Sequence, residues 1–231
     1  MLSVLRKEVK YYMTAQEFAG LRPQLDALLN RDNHGADFGY KVRSLYYDSV
    51  YDRDYYDTVD GLEVKAKIRL RTYASENPIK LEYKQKEGSD SMKSSLILNR
   101  EEAERMQAGD YSFLTRRPEK EAMEIYLRMM QGGYLPRGLV EYDREAYTFP
   151  AGDVRITFDT GTRATGSAWD IFDADPPFTP VIPRDTGVLE VKYTGYLPTF
   201  IKAIVETGRL PSANSKYIQS REFYQYGGDT E

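Results

Sequence analysis

The stretch Lys65-Ala-Lys-Ile-Arg-Leu-Arg71 decides how this chain reads. Every odd position in it is cationic and every even position is apolar. Successive side chains of a β-strand point to opposite faces, so Lys65, Lys67, Arg69 and Arg71 share one face, and Ala66, Ile68 and Leu70 share the other. Ile79-Lys-Leu-Glu-Tyr-Lys-Gln-Lys86 repeats the design, with Lys80, Glu82, Lys84 and Lys86 together. Val154-Arg-Ile-Thr-Phe-Asp159 groups Arg155, Thr157 and Asp159, and Leu189-Glu-Val-Lys-Tyr193 groups Glu190 with Lys192. Near the N-terminus Arg6, Glu8 and Lys10 fall on one face.

The same period of two marks Leu5–Met13, Val42–Asp48, Lys93–Leu98 and Leu139–Phe149, and it extends over Glu63–Tyr73. Helices fill the spaces between. Thr14-Ala-Gln-Glu17 and Asn99 with Glu102 are capping boxes, in which side chain and backbone satisfy each other's donors. Phe18, Leu21, Leu25 and Leu28 follow the first box at helical spacing, with Pro23 expected to kink or split the helix. Pro118 to Gln131 reads as a helix stopped by Gly132-Gly133, and Pro198 to Thr207 as one closed by Gly208. Gly161 to Gly187, with four prolines, reads as a long loop or irregular hairpin. Strands dominate without strand–helix–strand alternation. The expectation is an α+β fold: a mostly antiparallel sheet or barrel decorated with helices, in one domain over residues 1–231.

Composition narrows the chemistry. The 231 residues are 41% hydrophobic and 29% charged, ordinary for a globular protein. With no cysteine there is no thiolate chemistry or disulfide frame, and the one histidine, His34, rules out a multi-histidine zinc site. His34 lies between Asn33 and Gly35 in a turn-like setting and reads as a loop residue; Trp169 reads as a packing anchor. The net charge of −4 argues against a nucleic-acid coat but leaves room for a local basic site. No apolar run reaches the roughly 20 residues that span a bilayer, and no secretion signal is visible, so a cytoplasmic protein is expected.

A sheet with one wet face would show the same alternation, its lysines merely solvating it. Five such strands shift the balance, because like charges stacked along and across strands repel. The charged face of Lys65–Arg71 holds no acidic residue, which suits a polyanion. Phosphate chains are the natural candidate, since arginine offers a fixed fork of donors and lysine a compact point charge. Glu8, Glu82, Asp159 and Glu190 are hard oxygen ligands suited to manganese or magnesium (Mn2+ or Mg2+) held with substrate phosphates. Each could equally neutralise a neighbouring lysine, and both readings stand. There is no glycine-rich phosphate loop, so side chains would hold the phosphates.

Ser44-Leu-Tyr-Tyr-Asp48, Lys67-Ile-Arg-Leu-Arg71, Leu81-Glu-Tyr-Lys84, Tyr142-Asp-Arg144, Val154-Arg-Ile-Thr-Phe-Asp159, Leu189-Glu-Val-Lys192 and Ser215-Lys-Tyr217 occur in this order. The set resembles the VTC domain, the polyphosphate polymerase domain of the vacuolar transporter chaperone family, within the triphosphate tunnel metalloenzyme (CYTH-like) superfamily. The resemblance spans roughly residues 6 to 223. It implies a closed antiparallel β-barrel around a charged tunnel, and transfer of the γ-phosphate of ATP to inorganic polyphosphate with a divalent metal. It also implies that Lys10, Arg69, Arg71, Lys84, Lys93, Arg144, Arg155 and Lys216, with Ser215 beside the last, bind phosphate, joined by Lys67 from the alternation. Glu190 matches the family's metal-binding glutamate. Arg6 stands where a first glutamate of the superfamily signature would be, and Ala213 where the family often has a lysine. The membrane-spanning and inositol-phosphate-sensing domains of the eukaryotic proteins are missing, so the chain looks like a stand-alone, bacterial version with a separate membrane partner.

The leading expectation is therefore a polyphosphate-making phosphotransferase in which Arg69, Arg71, Lys84 and Arg155 clamp phosphates. A tripolyphosphatase or nucleoside triphosphatase using the same residues, and a non-catalytic polyphosphate or nucleotide sensor, are the rivals. Metal dependence separates the last from the first two; the fate of the γ-phosphate separates those.

Overall fold

The computed structural model describes residues 6–32, 39–73, 76–88, 90–206, 208–213 and 215–226. His34 lies outside them. In chain order the elements are β1 (Arg6–Thr14), α1 (Ala15–Leu28), β2 (Asn30–Arg31), β3 (Tyr40–Asp48), α2 (Arg53–Val59), β4 (Val64–Tyr73), β5 (Glu76–Glu87), β6 (Asp90–Leu98) and α3 (Arg100–Gln107). A 3-10 turn (Ser112–Arg116) precedes α4 (Lys120–Gly132), β7 (Leu135–Phe149), β8 (Val154–Thr165), β9 (Thr179–Pro180), β10 (Thr186–Thr194), α5 (Thr199–Val205) and α6 (Lys216–Tyr226).

The fold is α+β, an antiparallel sheet with six α-helices among the described residues. The strand order is β1-β10-β8-β7-β3-β4-β5-β6, with β2 on β7 and β9 on β8. The expected closed barrel is not formed: among the described residues no pairing joins β6 back to β1. The outer strand β6 carries Ser91, Lys93 and Ser95, exposed polar residues of the kind that keep an edge solvated rather than paired.

Two compact units divide the chain, each with its own core. The first comprises residues 1–41, 142–162 and 180–215, and the second residues 42–141, 163–179 and 216–231. In the second, Ala66, Ile68 and Leu70 of β4 pack with Leu81 and Tyr83 of β5, Leu45 and Tyr47 of β3, and Ile125 and Met129 of α4. Each fully buried aliphatic side chain here contributes about 1.5–3 kcal/mol. In the first unit, Tyr11 of β1, Ile156 and Phe158 of β8 and Leu189 and Val191 of β10 pack against Phe18, Leu21 and Leu25 of α1. The even–odd division of the sequence is thus the division between core and charged face.

Both capping boxes form: Thr14 Oγ1 accepts from the Glu17 N–H at 3.2 Å, and Asn99 Oδ1 from the Glu102 N–H at 2.8 Å. Pro23 neither splits nor ends α1, since the helix runs through it with Phe18, Leu21 and Leu25 buried. Their burial offsets the missing amide bond. The segment 161–187 is less irregular than expected at its ends, where β8 continues to Thr165 and β10 begins at Thr186. Between them Ile171 is buried and Trp169, Phe172 and Phe178 pack against the second unit's core.

Candidate functional site

The charged face of the second unit is built by register. Lys67 stands opposite Lys84, and Lys84 stands opposite Lys93 across the next ladder. Lys65 faces Lys86, and Arg71 faces Lys80. Directly opposed like charges destabilise a sheet, so three strands here carry a cost that a surface chosen for solubility would avoid by mixing signs. A buried carboxylate, Glu82, offsets part of it. Glu82 lies opposite Arg69, is 2% exposed, and receives Arg69 Nε at 2.7 Å, with Arg71 Nη1 at 3.6 Å and a short bond from Lys93 Nζ. Burial disfavours the Glu82 anion, but Arg69, Arg71 and Lys93 outweigh it and hold the carboxyl well below its ordinary range.

The excess of positive charge shows in the neighbouring groups. Burial, helped by Arg69 and Arg71 and opposed by Glu82, pushes the Lys93 ammonium below its ordinary value. Tyr46 is buried, which should raise its phenol, yet Arg69, Arg71 and Lys216 bring it down to about 8. Arg71, itself 7% exposed, donates from Nε to Ser44 Oγ at 3.2 Å. Lys84 is exposed, while Lys67 and Arg69 are half-buried.

α6 brings Lys216 to the same unit. Tyr217 donates its hydroxyl to Asp48 Oδ2 at 2.7 Å, and its ring stacks on Tyr46 at 5.2 Å between centroids. Arg221, one turn on, forms a two-pronged ion pair with Asp52 at 2.8 Å on both prongs. Asp48 also accepts the backbone N–H groups of Asp54 and Tyr55, both at 2.9 Å, and so caps the start of α2. Ser215 immediately precedes the helix.

The charged face of the first unit mixes signs. Lys10 lies opposite Glu190, Glu8 opposite Lys192, Glu190 opposite Thr157 and Lys192 opposite Arg155. Lys10 Nζ is 2.9 Å from Glu8 and 3.5 Å from Glu190; Lys192 Nζ is 2.5 Å from Glu190 and 3.7 Å from Glu8. Burial opposes ionisation of Glu190, but Lys192, Lys10 and Arg144 hold its carboxyl well below the ordinary value. Beside it Thr157 Oγ1 is buried with no hydrogen-bond partner among the described residues. Arg144 and Asp159 form a two-pronged pair at 2.6 and 2.8 Å, with Asp159 fully buried. Arg155 donates to Asp32 at 2.6 Å and to the Tyr40 hydroxyl at 3.0 Å.

Nine of the fourteen expected site residues thus gather in three groups: Arg69, Arg71, Glu82 and Lys93; Glu8, Lys10 and Glu190; and Arg144 with Asp159. Among the described residues no three acidic or histidine side chains come together as a metal cage. Glu8 and Glu190, joined through the same two lysines, and the orphaned Thr157 hydroxyl suit an ion that binds through one or two carboxylates and takes its other ligands from phosphate and water. Glu82 and Asp159 are each committed to arginine.

Ser44, Tyr46, Asp48, Tyr217 and Lys192 were given no site role by sequence reasoning. A signal existed for the first three: in Val42–Asp48 they share a face by the period of two. The pairing that brings them to Arg69 and Arg71 (Tyr46 opposite Arg69, Ser44 opposite Arg71) is a property of the sheet alone.

The fold is shared with solved structures. An adenylate cyclase candidate from Bacillus halodurans superposes with a TM-score of 0.56 at 14% identity, over 92% of this chain and 94% of that one. An adenylyl cyclase candidate from Hippeastrum, in which triphosphatase activity dominates, gives 0.54 at 12%, over 93% and 94%. A protein from Pyrococcus horikoshii gives 0.50 at 15%, over 96% and 99%. No curated protein matches the sequence. No helix among the described residues is long and apolar enough to cross a membrane. The family model for the VTC domain matches residues 5–224, nearly the whole sequence, and the chain belongs to that family.

Proposed function

We propose that this protein is a divalent-metal-dependent phosphotransferase that extends inorganic polyphosphate with the γ-phosphate of ATP. The observation that carries the reading is the like-charge register of β4, β5 and β6, where Lys67, Lys84 and Lys93 stand in one row and Glu82 stands opposite Arg69. A bound polyanion removes the repulsion that this register imposes. Family membership supports the same substrate class.

In this reading Arg69, Arg71, Lys67, Lys84, Lys93 and Lys216 bind phosphate oxygens, as do Lys10 and Arg155 on the first unit's face. Glu190 and Glu8 would hold manganese or magnesium, which would supply positive charge to the phosphate oxygens. Arg144 serves Asp159 first. The nucleophile is a terminal phosphate oxygen of the growing chain, already anionic, so no side chain acts as nucleophile or base. Its lone pair forms a bond to the γ-phosphorus while the bond from that phosphorus to the β,γ-bridging oxygen breaks, and ADP leaves with the electron pair. The protein's contribution is position and charge.

Water as the acceptor would make the protein a triphosphatase. The solvent exposure of Lys84 and of nearly half the Lys93 side chain, 48%, favours that second reading, as does the triphosphatase activity of the Hippeastrum neighbour. Incubation with γ-labelled ATP and Mn2+, followed by separation of products on a gel, distinguishes the cases. The polymerase puts label into a ladder of chains, the triphosphatase into orthophosphate, and a sensor leaves it in ATP.

A further inference from the structure

We infer that Tyr46 is a positioning residue for phosphate binding, acting through Arg69; the inference rests on the proposed reading of Arg69 as a phosphate ligand. Tyr46 is 4% exposed, so its hydroxyl has little access to water and must be satisfied inside the protein. The Tyr46 oxygen accepts from Arg69 Nη1 at 3.0 Å, while the other edge of the same guanidinium, Nε and Nη2, is taken by Glu82 at 2.7 and 2.6 Å. Two anchors on two edges fix the plane of a group that otherwise has four rotatable bonds. A planar fork recognises phosphate by direction as well as charge, so fixing its plane reduces the entropy lost on binding.

The tyrosine is itself held. Its ring stacks on Tyr217 at 5.2 Å with 22° between planes, and Tyr217 is pinned by its bond to Asp48. Tyr217 directly follows Lys216, so one aromatic pair ties the orientation of Arg69 on β4 to the first turn of α6. Glu82 holds Arg69 by charge; the Tyr46 hydroxyl adds a second contact without adding a second carboxylate. A second carboxylate there would hold the arginine as well but would repel phosphate.

The test is a double-mutant cycle read by tripolyphosphate binding in low salt. Tyr46→Phe keeps the ring and its stack on Tyr217 and deletes only the oxygen. Losing one hydrogen bond of ordinary net worth, felt at the ligand only through Arg69, predicts that the dissociation constant rises about 3- to 10-fold. In an Arg69→Ala background the same substitution has no further effect, since there is no guanidinium left to orient. With ATP as substrate, Tyr46→Phe raises KM while kcat stays near its wild-type value. Unchanged melting temperature confirms that the fold is kept. Wild-type affinity in Tyr46→Phe, or an equal loss with and without Arg69, overturns the inference while leaving phosphate binding in place. If the wild-type protein itself does not bind tripolyphosphate, the functional reading fails and this inference falls with it.

Discussion

Arg144→Ala destabilises the protein by about 3–5 kcal/mol, the cost of leaving a buried charge without its partner. The residue left behind is Asp159, fully buried and held on both carboxylate oxygens by Arg144. The double variant Arg144→Met with Asp159→Asn removes both charges and recovers most of the loss. Urea unfolding of the three proteins checks this. A single variant within about 0.5 kcal/mol of wild type would show that Asp159 does not depend on the Arg144 fork and that Arg144 is available for phosphate.

Glu190→Gln carries the largest expected effect on activity. The amide keeps the size of the carboxylate and deletes the charge that a divalent ion needs. Lys10 and Lys192 keep Glu8 as a partner, at 2.9 and 3.7 Å, so the fold survives. Metal-dependent turnover drops at least about a hundredfold, corresponding to the loss of about 3 kcal/mol of charge stabilisation in the transition state. Metal affinity, measured by calorimetry with Mn2+, falls in parallel. If turnover and affinity both persist, Glu190 is an ion-pair partner of Lys192 and Lys10, and the metal ligand lies elsewhere.

The strands were legible because each obeys a rule of period two that sets a core face against a charged one. Ala66, Ile68 and Leu70 are buried, and Lys65, Lys67 and Arg69 are not. The capped helices were legible because Thr14 with Glu17, and Asn99 with Glu102, satisfy each other within one turn. α2 and α6 were not. The cap of α2 is Asp48, which sits on the preceding strand and not in the residue before the helix, and α6 is held by the pairs Tyr217–Asp48 and Arg221–Asp52, which join distant parts of the chain.

The candidate site divides in the same way. Alternation marked which residues are charged and co-facial, but the sign of each neighbour across the ladder depends on register. Register turned the lysines of β4, β5 and β6 into an opposed row, and it turned Glu82 into the common partner of Arg69, Arg71 and Lys93. The two-pronged ion pair gave Asp159 to Arg144, which a list of acidic residues could not separate from Glu190. Closure of the sheet was an inference from the resemblance, and the polar edge of β6 stands against it.

On the proposed reading the cationic row on β4, β5 and β6 exists to meet a polyanion, and Lys84 tests it most directly. It lies between Lys67 and Lys93 in register and is exposed, so replacing it costs no packing. The measurement is the melting temperature of wild type and Lys84→Gln, with and without tripolyphosphate, at low and high salt. The row's repulsion predicts that Lys84→Gln melts at the wild-type temperature or above it when free of ligand. Saturating tripolyphosphate stabilises the wild type by about 2.7 kcal/mol at a hundredfold excess over its dissociation constant. Salt weakens the effect, since exposed charges are screened over about 10 Å at 0.1 M. Lys84→Gln loses most of that ligand-induced gain. A variant that melts well below wild type without ligand, yet keeps the full tripolyphosphate shift, contradicts the account: the row would then be a structural surface, and the polyanion would bind elsewhere.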